Sequence, residues 1–345
     1  MRPFKILILG NLLSSSVGTR SVGEELAVRL RKAQWTVTTA SPRKERVIRA
    51  LDMLFAILKH RDHYNIAYLE VYSGLAFVWA ELNLCLLKIL RKPVVLTLHG
   101  GDLPKFARQS TRRTKRLLQA GDVVTTPSRY IQTALFEVRG DILLLPNAIE
   151  LASYQFCHRP QPMPKVAWLR AFHEIYAPTL AAEALSLLVD EFPEVELTMF
   201  GPDKGDGSLQ AMRLLAQQAG VSERIKTPGP IPKSEVPEHL ARYYVFLNTT
   251  TVESFGVSVV EAAALGMCLV TTNVGELPYI WTHEHDALLV PPNDPKAMAA
   301  AVRRILIEPG LAARLSRNAR ATAAQFDWSV ILSQWEALLT AVIER

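Results

Sequence analysis

The feature that most constrains this 345-residue chain is a rhythm, in which short apolar runs alternate with helix-like stretches from one end to the other. The runs are FKILIL, WTVTTA, NIAYLEV, PVVLTL, DVVTTP and DILLLP in the first half, then KVAWLR, EVELTMF, YYVFLN and CLVTT in the second. Strands separated in this way form parallel sheets, because neighbouring parallel strands need a crossover long enough to hold a helix. The stretch HRPQPMPK interrupts the rhythm with Pro160, Pro162 and Pro164, a density that neither a helix nor an inner strand tolerates. The expectation is an α/β chain of two doubly wound domains, residues 1–150 and 151–326, with a linker around 147–164. The segment 327–345 keeps apolar residues at helical spacing and is expected to return as a final helix onto the first domain.

Charge separates the two halves. Residues 1–150 carry 23 Lys and Arg against 12 Asp and Glu, a net +11, while the remainder nets −5. Arg43, Lys44 and Arg46 precede VIRALDMLFAILKHR, which contains Arg49 and can form an amphipathic helix with cations at headgroup level, and RQSTRRTKR adds a second basic cluster. Contact with an anionic membrane surface and a core-facing helix with a solvated basic side both fit this pattern. Nucleic acid is not an expected partner, since no binding module or aromatic-basic platform accompanies the charge. The apolar window GLAFVWAELNLCLLKIL is interrupted by Glu81, Asn83 and Lys88 and is too short to span a bilayer, so it is expected to be a buried helix. Cys85, Cys157 and Cys268 lie far apart and form no framework, and MRPFKILILG has no signal-peptide pattern. A cytoplasmic location is expected, and the basic helix leaves peripheral attachment to the inner face of the plasma membrane open as an alternative to a core-facing role.

Several chemistries fail on their residues. In GNLLSSSVGTRSVG the glycines at 10, 18 and 23 do not make a dinucleotide fingerprint, and TVTTA offers no acidic residue for a ribose. Gly18 and a helix beginning near Arg20 or Ser21 still suggest free amides for a phosphate or sugar hydroxyl. His60 with His63, and His283 with His285, lack a third ligand at metal spacing, so no metal is expected. No G-x-S-x-G elbow is present.

The informative stretch is ESFGVSVVEAAALG, Glu253 to Gly266. Ser258 and Glu261 have the spacing of a capping box, which accounts for Glu261 alone. It leaves Glu253, Ser254, Phe255 and Gly256 unexplained. A glycine at a helix mouth lets a phosphate approach free amides, and carboxylates on either side can accept from sugar hydroxyls. The combination reads as a clamp for a ligand carrying both phosphate and sugar.

Glu253 and Glu261 match the E-x7-E motif of retaining glycosyltransferase family 4, and most of the chain resembles that family. TLHGGD, LRAFHEIYAP, GPDKGDGSL, TPGPIPKSEVPEHLARYYVFLNTT, and NVGELPYI with HDALLVPPNDPKAMAAAVRRIL resemble its other segments in the same order. The resemblance implies a GT-B fold, two facing Rossmann-like domains with a cleft between them. It implies transfer of a sugar, with retention and without a metal, from a UDP- or GDP-linked nucleotide sugar to a glycan or lipid-linked acceptor. By the same resemblance Glu261 would hold the ribose and Glu253 the transferred sugar. Ser254, Phe255, Gly256 and Val257 would offer amides to the diphosphate and sugar, and Ile231 would lie beside the base. Arg170 would neutralise the departing diphosphate. His99 would stand near the transferred sugar, and Arg46, Arg49 and Asp102 would lie on the acceptor and membrane side. One departure is that Ile175 stands where relatives carry a lysine, and Lys204 is the expected substitute. Another is Glu276 and Tyr279, where relatives often show glycine and glutamate. A catalytically weak nucleotide-sugar-binding relative and a sugar-nucleotide epimerase are the alternatives.

Overall fold

The computed structural model describes residues 4–12 and 21–344, with the backbone alone at Arg46. The chain divides into two compact units, Met1–Asn147 with Ser329–Arg345, and Ala148–Trp328.

The first unit contains strands β1 (Lys5–Leu9), β2 (Thr36–Ala40), β3 (Ile66–Val71), β4 (Val94–Leu98), β5 (Val123–Thr126) and β6 (Leu143–Leu144). Between them run helices α1 (Val22–Lys32), α2 (Arg46–Lys59), α3 (Leu75–Ile89), α4 (Leu103–Gln109), α5 (Thr111–Ala120) and α6 (Arg129–Ala134). The sheet is parallel in the order β2-β1-β3-β4-β5-β6. Its inner strands are covered on both faces, which is why IAYLEV and VVLTL read as continuous apolar runs rather than alternating ones. Strand order reverses between β1 and β3, the place where loops part and ligands bind in such sheets.

The second unit contains β7 (Lys165–Leu169), α7 (Pro178–Ser186), β8 (Glu196–Phe200), α8 (Ser208–Gln218), β9 (Ile225–Gly229), α9 (Val236–Leu240), β10 (Val245–Asn248), α10 (Val257–Ala264), β11 (Cys268–Thr272), α11 (Leu277–Ile280), β12 (Leu288–Val290), α12 (Pro295–Ile307) and α13 (Leu311–Ala324). Its parallel order, β12-β11-β10-β7-β8-β9, puts the reversal between β7 and β10. One face buries Leu180, Leu185, Met212 and Val302 from flanking helices, and the other buries Val259, Ala263, Ala319 and Ala323. The alanines let α10 and α13 approach closely. The last helix, α14 (Trp328–Ile343), packs within the first unit, where Trp335 meets Tyr68 edge-on and Glu336 accepts from Trp35 Nε1 at 3.1 Å.

Three local expectations need correction. The helix α3 is not wholly buried: Leu75, Leu82 and Ile89 face outward. The helix start near Ser21 does not offer free amides, because Ser21 and Glu24 cap each other and the Gly23 amide donates to Glu70 at 3.1 Å. The segment expected as a linker belongs to the second unit, where Arg159 is 2% exposed. Its guanidinium donates to the carbonyls of Tyr243 at 2.8 Å, Cys157 at 2.6 Å and Ala241 at 3.2 Å, and to that of Leu265. A buried guanidinium is tolerated because backbone oxygens replace its water.

Arg159→Leu strands those carbonyls and should lower unfolding free energy by roughly 3 kcal/mol. Arg303→Ala breaks only a half-exposed pair with Glu191 and should change it by less than about 1 kcal/mol. Urea denaturation of the two variants checks the contrast.

Candidate active site

The site of the second unit is assembled where the sheet order reverses. Arg170 follows β7, and the run Asn248 to Glu253 ends β10 and continues beyond it. Threonines fasten these two strand ends together. Thr249 Oγ1 accepts from Trp168 Nε1 at 2.9 Å and donates to the Tyr176 carbonyl at 2.5 Å. The Ile175 carbonyl accepts from Thr250 Oγ1 at 3.2 Å, Thr251 Oγ1 at 3.0 Å and the Thr251 amide at 2.8 Å.

Glu253, 7% exposed, is held on both oxygens. One accepts from the amides of Ser254 at 3.1 Å and Phe255 at 3.3 Å, and the other takes a direct ion pair from Arg170. Arg170 also lies over the Tyr176 ring, 5.1 Å from its centroid, and its Nε is buried without a partner among the described residues. Gly275 lies against the Glu253 backbone, since a Cβ there would come within 1.9 Å of the Glu253 carbonyl oxygen. The Glu276 amide donates to that same carbonyl at 3.0 Å, and the Glu276 side chain is buried.

The capping box expected at Ser258 and Glu261 does not form. Gly256 takes a left-handed conformation as N-cap and starts α10 at Val257, one residue before Ser258, so the serine lies inside the first turn. Its Oγ is buried with no partner among the described residues. Glu261, 2% exposed, instead accepts from the Tyr154 hydroxyl at 2.5 Å and forms an ion pair with Lys233. Burial, together with the adjacent Glu261 charge, pushes the Tyr154 phenol well above its ordinary range. Ile231 is half-buried two residues before Lys233, and Val257 is half-buried at the helix start.

Sequence reasoning missed Lys233 and Tyr154. Lys204 is exposed, its amide bonded to the Phe172 carbonyl at 3.1 Å, and its side chain pairs with neither glutamate. The one legible sign of Lys233 was its place in the GPIPK turn beside Ile231.

In the first unit, His99 directly follows β4 and is 6% exposed. Its ring stacks on Tyr72 at 5.3 Å and lies 3.5 Å from the Tyr68 hydroxyl. Burial lowers its pKa to about 4, so the imidazole is neutral at pH 7. Arg49 is half-buried on α2, and Asp102 is the exposed residue preceding α4. Gly18 and the side chain of Arg46 lie outside the described residues. No group of three or more His, Cys, Asp or Glu side chains is arranged to hold a metal among the described residues.

Solved structures with this fold include Alr3699/HepE of Anabaena in complex with UDP and glucose, at a TM-score of 0.79 and 17% identity, covering 98% of this chain and 100% of that one. The sucrose-phosphate synthase of Thermosynechococcus elongatus gives 0.81 and 20%, covering 99% and 100%. The fold is GT-B. Residues 164–322 of this GT-B chain match the family model for glycosyl transferases group 1, and residues 17–153 match glycosyltransferase family 4. A D-inositol 3-phosphate glycosyltransferase of Streptomyces bingchenggensis is 31% identical over 158 residues, 44% of this chain and 35% of its own length. That of Acidothermus cellulolyticus is 27% identical over 257 residues, 66% of this chain and 55% of its own. The matches therefore span about a third to a half of these two curated relatives.

His99 carries a pH signature. Its folded pKa lies below its ordinary 6.5, so its contribution to stability is present above pH 6.5 and is lost as pH falls toward 4. Lowering the pH from 7 to 5 should cost the native protein about 2 kcal/mol that a His99→Gln variant does not lose. Urea midpoints of both proteins at the two pH values test this.

Proposed function

We propose that the chain is a retaining, metal-independent glycosyltransferase that moves a sugar from a nucleoside-diphosphate sugar to a hydroxyl of a glycan or glycolipid acceptor. The observation that carries this reading is the part-buried Arg170–Glu253 pair at the mouth of α10, with Arg170 Nε and Ser258 Oγ both unpartnered among the described residues. A guanidinium with a free edge beside a helix N-terminus suits a diphosphate, whose charge grows as the glycosyl bond breaks. Glu253, fixed by two amides, would accept from hydroxyls of the transferred sugar, and Glu261 from those of the ribose. The amides of Ser254 to Val257 would face the diphosphate and sugar, with Ile231 beside the base. The matched families and the UDP complexes of the Anabaena protein support a nucleotide sugar as donor.

Ile175 offers no charge where the resemblance expects a lysine, so a second cation must come from elsewhere. Lys204 and Lys233 are the candidates, and the ion pair with Glu261 favours Lys233. Two fixed cations would balance the diphosphate without a metal. The site would work at the cytoplasmic face of the membrane. No helix among the described residues is long and apolar enough to cross a membrane.

Thermal stabilisation across UDP, GDP and their sugar conjugates identifies the donor, because a ligand at about 100 times its Kd adds roughly 2.7 kcal/mol. Glu261→Gln should weaken the stabilising nucleotide by about ten- to a hundredfold, the loss of one charged hydrogen bond. Arg170→Ala should lower turnover by roughly two orders of magnitude or more. Lys233→Ala should weaken nucleotide binding more than Lys204→Ala. Unchanged nucleotide affinity in Glu261→Gln contradicts the ribose assignment, and binding without turnover favours a non-catalytic relative.

A further inference from the structure

The short turn Glu174–Tyr176, between β7 and α7, is fastened from both sides. On one side His173 Nδ1 accepts from the Ile175 amide at 3.2 Å. On the other, Thr249 Oγ1 donates to the Tyr176 carbonyl at 2.5 Å, and Thr250 and Thr251 both donate to the Ile175 carbonyl. Thr249 is itself fixed by Trp168 Nε1 at 2.9 Å. Ala177 then takes a left-handed conformation, with φ of 41°, and the chain enters α7 at Pro178. An alanine holds such a backbone only where its surroundings impose it.

Ile175 brings no charge to the site, so the side chain that this turn holds in place there is Tyr176. The Arg170 guanidinium lies over its ring, with Cζ 5.1 Å from the centroid. The ring meets His173 edge-on at 6.4 Å and packs against the core that contains Trp168 and Phe172. Burial raises the Tyr176 pKa, with the Arg170 charge opposing that shift and the Glu253 charge adding to it, so the ring is a neutral phenol at pH 7.

What a ring does for a guanidinium differs from what a carboxylate does. Arg has five N–H donors, all in the guanidinium plane and none on its face. Glu253 takes one edge of Arg170 and offsets its charge. That contact fixes an edge and leaves the plane free to swing about it. The aromatic face attracts the cation through its quadrupole, fixes the plane, and takes no donor. Nε, buried and without a partner among the described residues, is one of the donors left.

We infer that Tyr176 is a positioning residue for Arg170, its ring face holding the guanidinium plane so that the N–H groups not taken by Glu253 stay turned to the diphosphate of the nucleotide. The inference rests on the sugar-transferase reading and adds to it a residue that acts through Arg170. It also gives the threonine clasp a purpose, since a turn that moved would carry the ring away from the cation.

Nucleotide binding to the full chain tests it, with UDP and GDP as probes and UMP and GMP as their controls. Tyr176→Leu should weaken the diphosphate that the native chain binds by about tenfold and its monophosphate by less than about threefold, while Tyr176→Phe binds both as the native chain does. In an Arg170→Ala background, Tyr176→Leu should add no more than about a twofold loss, because nothing is left to position. A polyfluorinated phenylalanine at position 176 keeps the shape of the ring and weakens its negative face. It should reproduce the selective loss, and it decides the matter if the leucine variant does not fold. Diphosphate affinity unchanged in Tyr176→Leu, equal losses for mono- and diphosphate, or additive losses in the double variant each overturn the assignment. So does a fluorinated ring that binds as Tyr176→Phe does. A native chain that binds neither UDP nor GDP refutes the transferase reading instead.

Discussion

A guanidinium partly and a carboxylate almost wholly removed from water tie the end of β7 to the segment beyond β10. Arg170 and Glu253 each bear a desolvation cost of several kcal/mol, which their mutual attraction repays only with good geometry and further hydrogen bonds. The threonine run supplies the geometry by fastening both strand ends to the turn at Ile175 and Tyr176. The amides of Ser254 and Phe255 supply the hydrogen bonds. Gly275 lets the next loop close against the glutamate's backbone. The partnerless edge of Arg170 is what this construction leaves over, and a charged group held there needs little reorganisation to meet an anion.

Much of this was legible from the chain because parallel strands buried on both faces must be continuously apolar. FKILIL, NIAYLEV and KVAWLR announce themselves for that reason. Edge strands do not: β9 is IKTPG, with a proline and alternately exposed residues, and β12 has only three residues. The eight-residue spacing of Glu253 and Glu261 was also legible, but their partners were not. Tyr154 reaches Glu261 across 107 positions, and no local pattern encodes such a contact.

The two S-x-x-E sequences show where local reading fails. At Ser21 and Glu24 the reciprocal cap forms. At Ser258 and Glu261 the same spacing yields none, because Gly256 can enter the left-handed region and start the helix one residue earlier. The cap depends on where the helix begins, and the glycine decides that. Glu261 is thereby released to bind Tyr154 and Lys233.

Each unit places a buried carboxylate on backbone amides at the reversal of its sheet order, and the two differ in what neutralises the charge. Glu253 has Arg170. Glu70 has amides and a phenol but no ion pair among the described residues, and burial drives its pKa up to about 7, with the Glu24 charge adding to the shift. A carboxylate already balanced by a cation with a free edge can stand beside a diphosphate. One that is not balanced repels phosphate and gains from each hydroxyl that donates to it, since hydrogen bonds to the ionised form oppose the effect of burial. The same topological position thus suits an anion in the second unit, where a cation pairs with the carboxylate, and hydroxyl donors in the first, where none does among the described residues.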